Sequence, residues 1–159
     1  MPENETRRRA AKDKREGNSA STQAGEYVHE EIEHVREGKH GARSAKQAIA
    51  IGLSKARRAG VDVPPPKAGK ASKTVRKKAE QDTKAGATHK AVSKTRSQAT
   101  SKALKREGSA AASKTALSRQ TRAAAKKRTA GERSAAAKKA AKTRSASGHH
   151  SASASHAHS

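Results

Sequence analysis

The sequence contains no cysteine, no phenylalanine and no tryptophan, and it has a single tyrosine. Without cysteine, neither a disulfide framework nor a thiolate metal site can form. Hydrophobic residues are 31% of the 159 residues and most of them are alanine, which is too little apolar area for one core of that size. Most of the chain is therefore expected to be non-globular by itself.

Long apolar runs are also missing, since the longest one spans only residues 48–53. A membrane span needs roughly 20 consecutive apolar residues, and the N-terminal segment lacks the apolar centre of a secretory signal. We therefore expect a soluble, cytoplasmic protein without a membrane partner.

Acidic residues are scarce, with 14 of them against 37 lysines and arginines, so that the net charge is +23. The excess is concentrated in residues 67–159, which hold 24 basic and 4 acidic residues, whereas residues 1–66 hold 13 and 10. A chain with this charge distribution is suited to bind a polyanion. The second half is expected to carry the binding charge.

Residues 45–59 carry the densest apolar pattern, with alanine, isoleucine, glycine and leucine recurring three and four positions apart. This spacing predicts an amphipathic helix. Ser44 and Gln47 have the spacing of a capping box at its start. Gly60 is placed to end the helix in a left-handed conformation.

A second apolar pattern precedes the first, with Val28, Ile32 and Val35 on one side of a helix predicted over 22–37. The connection, residues 38–43, is short enough to fold the two helices into an antiparallel hairpin. Two narrow stripes bury little area, so the hairpin is expected to be marginal alone. A second copy of the hairpin is one candidate partner, giving a homo-oligomer.

The predicted fold is all-α: a small antiparallel helical hairpin followed by a long, mostly disordered basic tail rich in Ala, Lys and Ser, with transient helices. Alanine, lysine and arginine favour helix, but like charges repel and no core rewards order. The chain divides into a mixed-charge N-terminal arm (residues 1–21), the hairpin (22–63), the basic low-complexity tail (64–148) and an end rich in His, Ser and Ala (149–159).

His29 and His34 flank three glutamates in a pattern close to the H-E-x-x-H motif of zinc hydrolases, but the two histidines are five positions apart. At about 100° per residue their side chains point about 140° apart on a helix. The four histidines after residue 148 lack an element that would order them around one ion. No metal site, cofactor or catalytic residue is predicted, and the chain is expected not to be an enzyme.

The expected partner is nucleic acid. With one tyrosine there is no platform on which single-stranded bases stack, so duplex DNA is favoured over single-stranded RNA. The expected mechanism is phosphate neutralisation without base readout. The predicted contact residues are lysines and arginines of the second hairpin helix and of the tail: Arg57, Arg58, Lys73, Arg76, Lys77, Lys78, Lys94, Arg96, Lys102, Lys105, Arg106, Lys114, Arg119, Arg122, Lys126, Lys127, Arg128, Lys138, Lys139, Lys142 and Arg144.

The stretch GKHGARSAKQAIAIGLSKARRAGV, residues 38–61, resembles a family of short, basic bacterial proteins of unknown function that are often labelled DNA-binding or plasmid stabilisation proteins. The likeness extends over residues 5–66, and tail pieces such as KALKREGSAAASKTALSRQTRAAAKKR look like the family's C-terminal part. In composition the tail is also similar to the tails of linker histones and histone-like proteins. The resemblance implies DNA binding or plasmid maintenance and brings no binding residues to transfer.

The function expected from these features is non-enzymatic, sequence-tolerant DNA binding of a histone-like, nucleoid-associated or plasmid-maintenance kind. Two alternatives remain open. One is a protein–protein adaptor in which the acidic first helix and the basic second helix dock a partner. The other is an RNA- or ribosome-associated stress protein.

Overall fold

In the computed structural model, which describes residues 2–89 and 91–154 and side chains as far as residue 145, the chain is all-α, as predicted. No strand occurs among the described residues. The helices are α1 (Asn4–Arg15), α2 (Ala20–Arg36), α3 (Ala45–Arg58), α4 (Lys73–Ala87), α5 (Lys94–Leu104), α6 (Lys114–Lys126) and α7 (Ala130–Ala154), with a 3-10 turn at Ala110–Ala112. The chain forms two compact units, one ending at Ser118 and one beginning at Arg119. Of the histidine-rich end, residues 155–159 lie outside the described part.

Helix α3 begins and ends where the sequence predicts. The Ser44 hydroxyl accepts a hydrogen bond from the N–H of Gln47 at 3.2 Å. The Gln47 side-chain oxygen accepts in turn from the N–H of Arg43 at 2.7 Å, one residue earlier than in a regular capping box. Gly60 follows the helix with φ +89°, the left-handed conformation that glycine adopts without steric strain.

Helix α2 starts two residues before the predicted position because Ser19 caps it, accepting a hydrogen bond from the N–H of Thr22 at 3.4 Å. It ends at Arg36, and Gly38 adopts φ +72° just beyond. The chain then reverses, so that α2 and α3 pack against each other. Both predicted helices of the hairpin are therefore present.

The two helices of the hairpin run antiparallel at very short range. The early part of α2 meets the late part of α3 through Tyr27 and Ala56, and the late part of α2 meets the early part of α3 through Val35 and Ala48. Gly52 lies at the crossing, where a Cβ atom in its place would be 2.6 Å from the Cα of Val28. Close approach of backbones thus replaces the large side chains that the sequence lacks.

Helix α1 covers one end of this hairpin. Its Ala10 joins the first apolar cluster, in which the buried residues are Ala10, Ala24, Tyr27, Ala56, Val61 and Val63. The Arg9 Nε atom lies 2.9 Å from a carboxylate oxygen of Glu26 on α2. Most of the segment predicted as a mixed-charge arm is therefore a helix packed on α2, because its alanine and arginine match the apolar and acidic groups of that helix.

The opposite end of the hairpin is covered by a segment far along the chain. Ala111 and Ala112 of the 3-10 turn are buried in the second apolar cluster, together with Val35, Ala42 and Ala48. The Arg36 Nε atom donates to the Ala112 carbonyl oxygen at 3.0 Å, which fixes the turn against α2.

The loop after α2 also pairs with this segment. The N–H of Gly41 donates to the Leu104 carbonyl oxygen at 2.9 Å, and the N–H of Ala42 donates to that of Gly108 at 3.1 Å. Residues 104–112, predicted as tail, are thus part of the first unit. The physical reason is that alanine and glycine bring backbone groups close enough to pair.

Helix α4 packs on the C-terminal part of α3. Ala79, Asp82 and Gly86 are its buried residues. A Cβ atom at Gly86 would collide with the Arg57 carbonyl oxygen, so glycine is required for this approach. No helix among the described residues is long and apolar enough to cross a membrane.

Candidate nucleic-acid interface

Three Ser-Lys-Thr triplets, at residues 72–74, 93–95 and 113–115, lie at the starts of α4, α5 and α6. The Ser72 hydroxyl accepts a hydrogen bond from the Val75 N–H at 3.3 Å at the start of α4, and Ser113 accepts from the Ala116 N–H at 3.2 Å at the start of α6. Ser93 occupies the corresponding position before α5 without a side-chain cap. The recurring triplet therefore marks the starts of three helices, each of which contains lysine and arginine.

Helix α7 has a full capping box of its own. The Thr129 hydroxyl accepts from the N–H of Glu132 at 3.2 Å, and the Glu132 carboxylate accepts from the N–H of Thr129 at 2.8 Å. This reciprocal pair satisfies backbone donors that would otherwise have no partner in the first turn. One of the few acidic residues of the tail is thus used to start a helix.

Every lysine and arginine between residues 94 and 144 is exposed, and there are sixteen of them against two acidic residues, Glu107 and Glu132. None of the residues of α5 or α6 is buried. The predicted contact residues in this region are Lys94, Arg96, Lys102, Lys105, Arg106, Lys114, Arg119, Arg122, Lys126, Lys127, Arg128, Lys138, Lys139, Lys142 and Arg144, and all of them are exposed. Arg133 on α7, which is not among the predicted contact residues, is exposed as well and belongs to the same set.

The cations of α6 form a row. Arg119, Arg122 and Lys126 are separated by three and four positions and so share one side of the helix. Three alanines, residues 123–125, separate the last two of these cations. Rows of guanidinium forks and ammonium groups suit phosphate oxygens, which accept charge-assisted hydrogen bonds in many orientations.

The predicted contacts on α4 divide into two groups. Lys73 and Lys77 are exposed. Arg76 is half-buried, and its Nε atom is buried without a hydrogen-bond partner. Lys78 is exposed, but its Nζ atom lies 2.7 Å from the Asp82 Oδ1 atom. Helix α4 is therefore partly engaged in the fold and offers fewer cations than its sequence suggests.

Asp82 is the centre of the contact between α3 and α4, and its side chain is almost fully buried at 1% exposure. The Ser54 hydroxyl donates to its Oδ2 atom at 2.6 Å, and the Arg58 Nε atom donates to Oδ1 at 2.8 Å. Burial acts to raise the pKa of Asp82, but the hydrogen bonds from Lys78 and Ser54 and the charges of Lys78 and Arg58 outweigh it, so the pKa is lowered. The carboxylate stays ionised and joins the two helices.

Arg57 has only 7% of its surface exposed, which differs from the predicted role in contacting phosphates. Its Nε atom donates to the Val63 carbonyl oxygen at 3.1 Å and its Nη2 atom to that of Pro64 at 3.3 Å. Burial lowers the pKa of Arg57, opposed by the charge of Asp82. Since Arg58 is held by Asp82, both arginines of this pair serve the fold.

A family model described as "Family of unknown function (DUF6496)" matches residues 13–67, from the end of α1 to the segment after α3. The match covers roughly a third of the chain and stops before α4, so it leaves out the exposed cations of α5–α7. No curated protein and no solved structure is significantly similar to the chain. The family description names no activity, ligand or partner.

Proposed function

We propose that this chain is a non-enzymatic, histone-like protein of the nucleoid that binds duplex DNA with little sequence preference. The observation that carries the proposal is the exposure of all sixteen lysines and arginines between residues 94 and 144, beside only two acidic residues. Charges placed in this way neutralise phosphates and release counterions, a driving force that does not depend on base sequence. The packed helices α1 to α4 precede these cationic helices in the same chain.

The choice of duplex DNA rests on the aromatic content. Tyr27 is the only Phe, Tyr or Trp side chain, and it is 3% exposed in the first apolar cluster. It is therefore not available to stack on an unpaired base, which is how many single-strand binders gain affinity. Backbone charge remains as the main source of binding energy, and a duplex offers the higher density of phosphates.

The tail helices are proposed to be transient in the free protein and stabilised by DNA. Helices α5 and α6 bury no residue, so no packed core offsets the repulsion between their cations. Phosphates remove that repulsion, and the serine and threonine at the helix starts keep the boundaries in place. Helix content should therefore rise when duplex DNA is added at low salt, as measured by circular dichroism.

The adaptor alternative depends on an acidic surface of α2, and much of that acid is occupied within the first unit. Glu26 pairs with Arg9, and Glu31 lies 2.5 Å from the Lys55 Nζ atom. Glu30 accepts a hydrogen bond from the N–H of Glu3 at 2.6 Å. These contacts support a structural role for the glutamates and favour the DNA-binding proposal.

The decisive experiment compares two triple variants of equal charge. Arg119→Gln with Arg122→Gln and Lys126→Gln removes the row on α6, and a control changes three exposed cations of α1, which are Arg7, Arg8 and Lys14. Both variants lower the net charge from +23 to +20, and glutamine preserves helix propensity. Duplex binding is measured by fluorescence anisotropy over a range of salt concentrations.

With roughly 8 to 12 phosphates engaged, the log–log salt slope of the unaltered chain should be about −7 to −11. The α6 variant should reduce its magnitude by about 2 to 3, and the α1 control by less than about 1. Equal effects of the two variants would mean that total charge alone acts and would contradict the assignment to the tail. A thousandfold difference between unrelated duplexes of equal length would contradict sequence tolerance.

A further inference from the structure

A group of metal-ligating side chains lies on the hairpin. Glu31 and His34 are three positions apart on α2 and share one side of it, and His40 is in the loop that follows. One ligand atom from each of the three residues lies within 4.8 Å of the others. The imidazole rings of His34 and His40 meet edge to face, with ring centroids 6.1 Å apart.

Glu31 is the deepest member of this group, at 0% exposure. Each of its carboxylate oxygens faces a nitrogen of another side chain: Lys55 Nζ lies 2.5 Å from Oε2, and His40 Nε2 lies 3.1 Å from Oε1. Burying a carboxylate costs desolvation free energy unless positive charge compensates it. The Lys55 ammonium group compensates Oε2, whereas Oε1 is directed at the imidazole of His40, where a proton or a metal ion can supply the positive charge.

The orientation of His40 fixes which of its nitrogens can act as a ligand. Its Nδ1 atom lies 3.0 Å from the carbonyl oxygen of Gly41, which can only accept a hydrogen bond, so Nδ1 carries a proton and donates it. In the neutral ring the lone pair is then on Nε2, which faces Glu31 Oε1. Two acceptors at this distance repel each other unless a proton or a metal ion bridges them. A histidine whose second nitrogen donates to a backbone carbonyl is the usual arrangement at metal sites.

His34 also lies close to carboxylate groups. Its Nε2 atom lies 3.0 Å from Glu3 Oε1 and 4.0 Å from Glu30 Oε1. The other oxygen of Glu30, Oε2, is buried and has no hydrogen-bond partner. A carboxylate hydrogen-bonded to imidazole orients the ring and raises its basicity as a ligand. The surroundings of the two rings thus favour a positive ion.

We propose that Glu31, His34 and His40 bind one divalent transition-metal ion of the zinc type. Two ligands of a tetrahedral zinc ion at about 2.0–2.1 Å are about 3.3 Å apart, close to the observed 3.1 Å between Glu31 Oε1 and His40 Nε2. Imidazole nitrogens select such an ion over magnesium or calcium, which prefer oxygen ligands. Three protein ligands leave a fourth position for water.

The ion would fix the loop after α2 to the helix that precedes it, and through Glu3 it would also engage the segment before α1. Binding to the folded state alone should stabilise the first unit in proportion to the concentration of free metal. The site is independent of the proposed DNA binding. The histidine pair close to a zinc motif in the sequence is His29 and His34, both of which lie on α2. In the structure the histidine close to His34 is His40, which lies in the loop after α2.

The test first removes the four histidines after residue 148, so that they do not compete for the added metal. A background protein carries His149→Gln, His150→Gln, His156→Gln and His158→Gln. Titration of this full chain with Zn²⁺ by calorimetry should show one ion per chain, and Co²⁺ should give the visible absorption of a tetrahedral site. In the same background, His34→Gln and His40→Gln should each weaken Zn²⁺ binding at least about 100-fold. His29→Gln, an exposed histidine on the same helix, should change the affinity less than about twofold.

Lys55→Gln separates ligand loss from unfolding because the expected change has the opposite sign. Removing the ammonium group that lies against Glu31 should tighten Zn²⁺ binding at least about tenfold, since a competing cation is gone. Glu3→Gln should weaken binding roughly tenfold, as a group that orients a ligand does. The proposal is overturned if the background protein binds no stoichiometric Zn²⁺, if His29→Gln weakens binding as much as His34→Gln, or if Lys55→Gln does not tighten it.

Discussion

Gly52 and Gly25 provide a test of the close helix contact, because the same substitution should have opposite effects at the two positions. Both glycines lie inside helices, α3 and α2. An added Cβ at Gly25 meets nothing within 4 Å, whereas at Gly52 it would lie 2.6 Å from the Cα of Val28 and 3.0 Å from the carbonyl oxygen of Tyr27. Only the second change forces the two backbones apart.

The magnitudes follow from two terms. Replacing glycine by alanine in a helix interior stabilises by roughly 0.5–1 kcal/mol, and this is the whole effect expected for Gly25→Ala. For Gly52→Ala the helices must separate by about 1 Å to restore ordinary contact, and overpacking of this kind costs roughly 1–3 kcal/mol. The obstructing atoms are backbone, so they have no rotamer to escape into. The net expectation is a loss of about 1–2 kcal/mol.

The assay uses Tyr27, which is buried at this contact and is the only Phe, Tyr or Trp residue in the chain. Its fluorescence reports unfolding around the contact of α2 with α3, because no residue after Tyr27 is Phe, Tyr or Trp. Thermal unfolding of the full chain followed by this signal should show a midpoint roughly 5–10 °C lower for Gly52→Ala and unchanged or higher for Gly25→Ala.

A midpoint for Gly52→Ala equal to or above that of the unaltered chain would refute the reasoning, since the added methyl group would then have room. Equal behaviour of the two variants would also refute it. In that case helix propensity alone, and no close approach of α2 and α3, would determine the stability of the hairpin.

Three further predictions concern buried ionisable groups. Asp82→Asn should destabilise the first unit by roughly 1–3 kcal/mol in urea denaturation, since charge-assisted hydrogen bonds from Arg58 and Lys78 are lost, whereas the exposed Asp62→Asn should have little effect. The pKa of Asp82 is lowered from 3.8, so its ionised side chain stabilises the folded state above pH 3.8, and this contribution is lost as the pH falls through the lowered pKa. The free energy of unfolding of the Asn variant should therefore fall less steeply in acid than that of the unaltered chain. Identical acid profiles of the two proteins would contradict this. Burial raises the pKa of Tyr27 above 10, so spectrophotometric titration should find that Tyr27 ionises at a higher pH than free tyrosine. The folded state should lose stability as the pH rises through this raised pKa. A titration midpoint equal to that of free tyrosine in the folded protein would count against the burial of Tyr27.

The hairpin could be predicted from the sequence because its signals are local. The apolar spacing of α3, the Ser44 cap and the left-handed Gly60 act within a few residues of one another, and all three occur in the structure. The same is true of α2, except that it starts at Ala20, after the Ser19 cap, two residues before the predicted position. The Ser-Lys-Thr triplets are local patterns of the same kind. Each of them lies at a helix start, so helix boundaries in the tail follow from its sequence, although its composition alone does not indicate them.

The contacts that complete the first unit could not be predicted, because they join small residues far apart in sequence. Nothing in the pattern around Ala111 and Ala112 distinguishes them from the many other alanines of the tail. Their burial depends on the space left between Val35 and Ala48. Similarly, the need for glycine at position 86 becomes visible only when the Arg57 carbonyl oxygen lies against it.

The charged groups show the same limit. Arg57 and Arg58 are neighbours in a cationic pair, and no local pattern distinguishes them from the arginines of α6. In the structure one is buried against backbone carbonyl oxygens and the other is held by Asp82 on α4. His40 lies next to Glu31 only because the loop returns along α2. Such partners are decided by tertiary packing, and a scan for local spacing does not find them.

The late closure of the second apolar cluster has a consequence during protein synthesis. The residues that cover Val35, Ala42 and Ala48 are Ala111 and Ala112, which a ribosome adds 63 and 64 residues after Ala48. At roughly 5–20 residues per second, the nascent chain leaves this apolar surface uncovered for about 3 to 13 s. During that interval the apolar surface of the hairpin is accessible to chaperones, proteases and other nascent chains. The surface is covered only after Ala111 and Ala112 have been added.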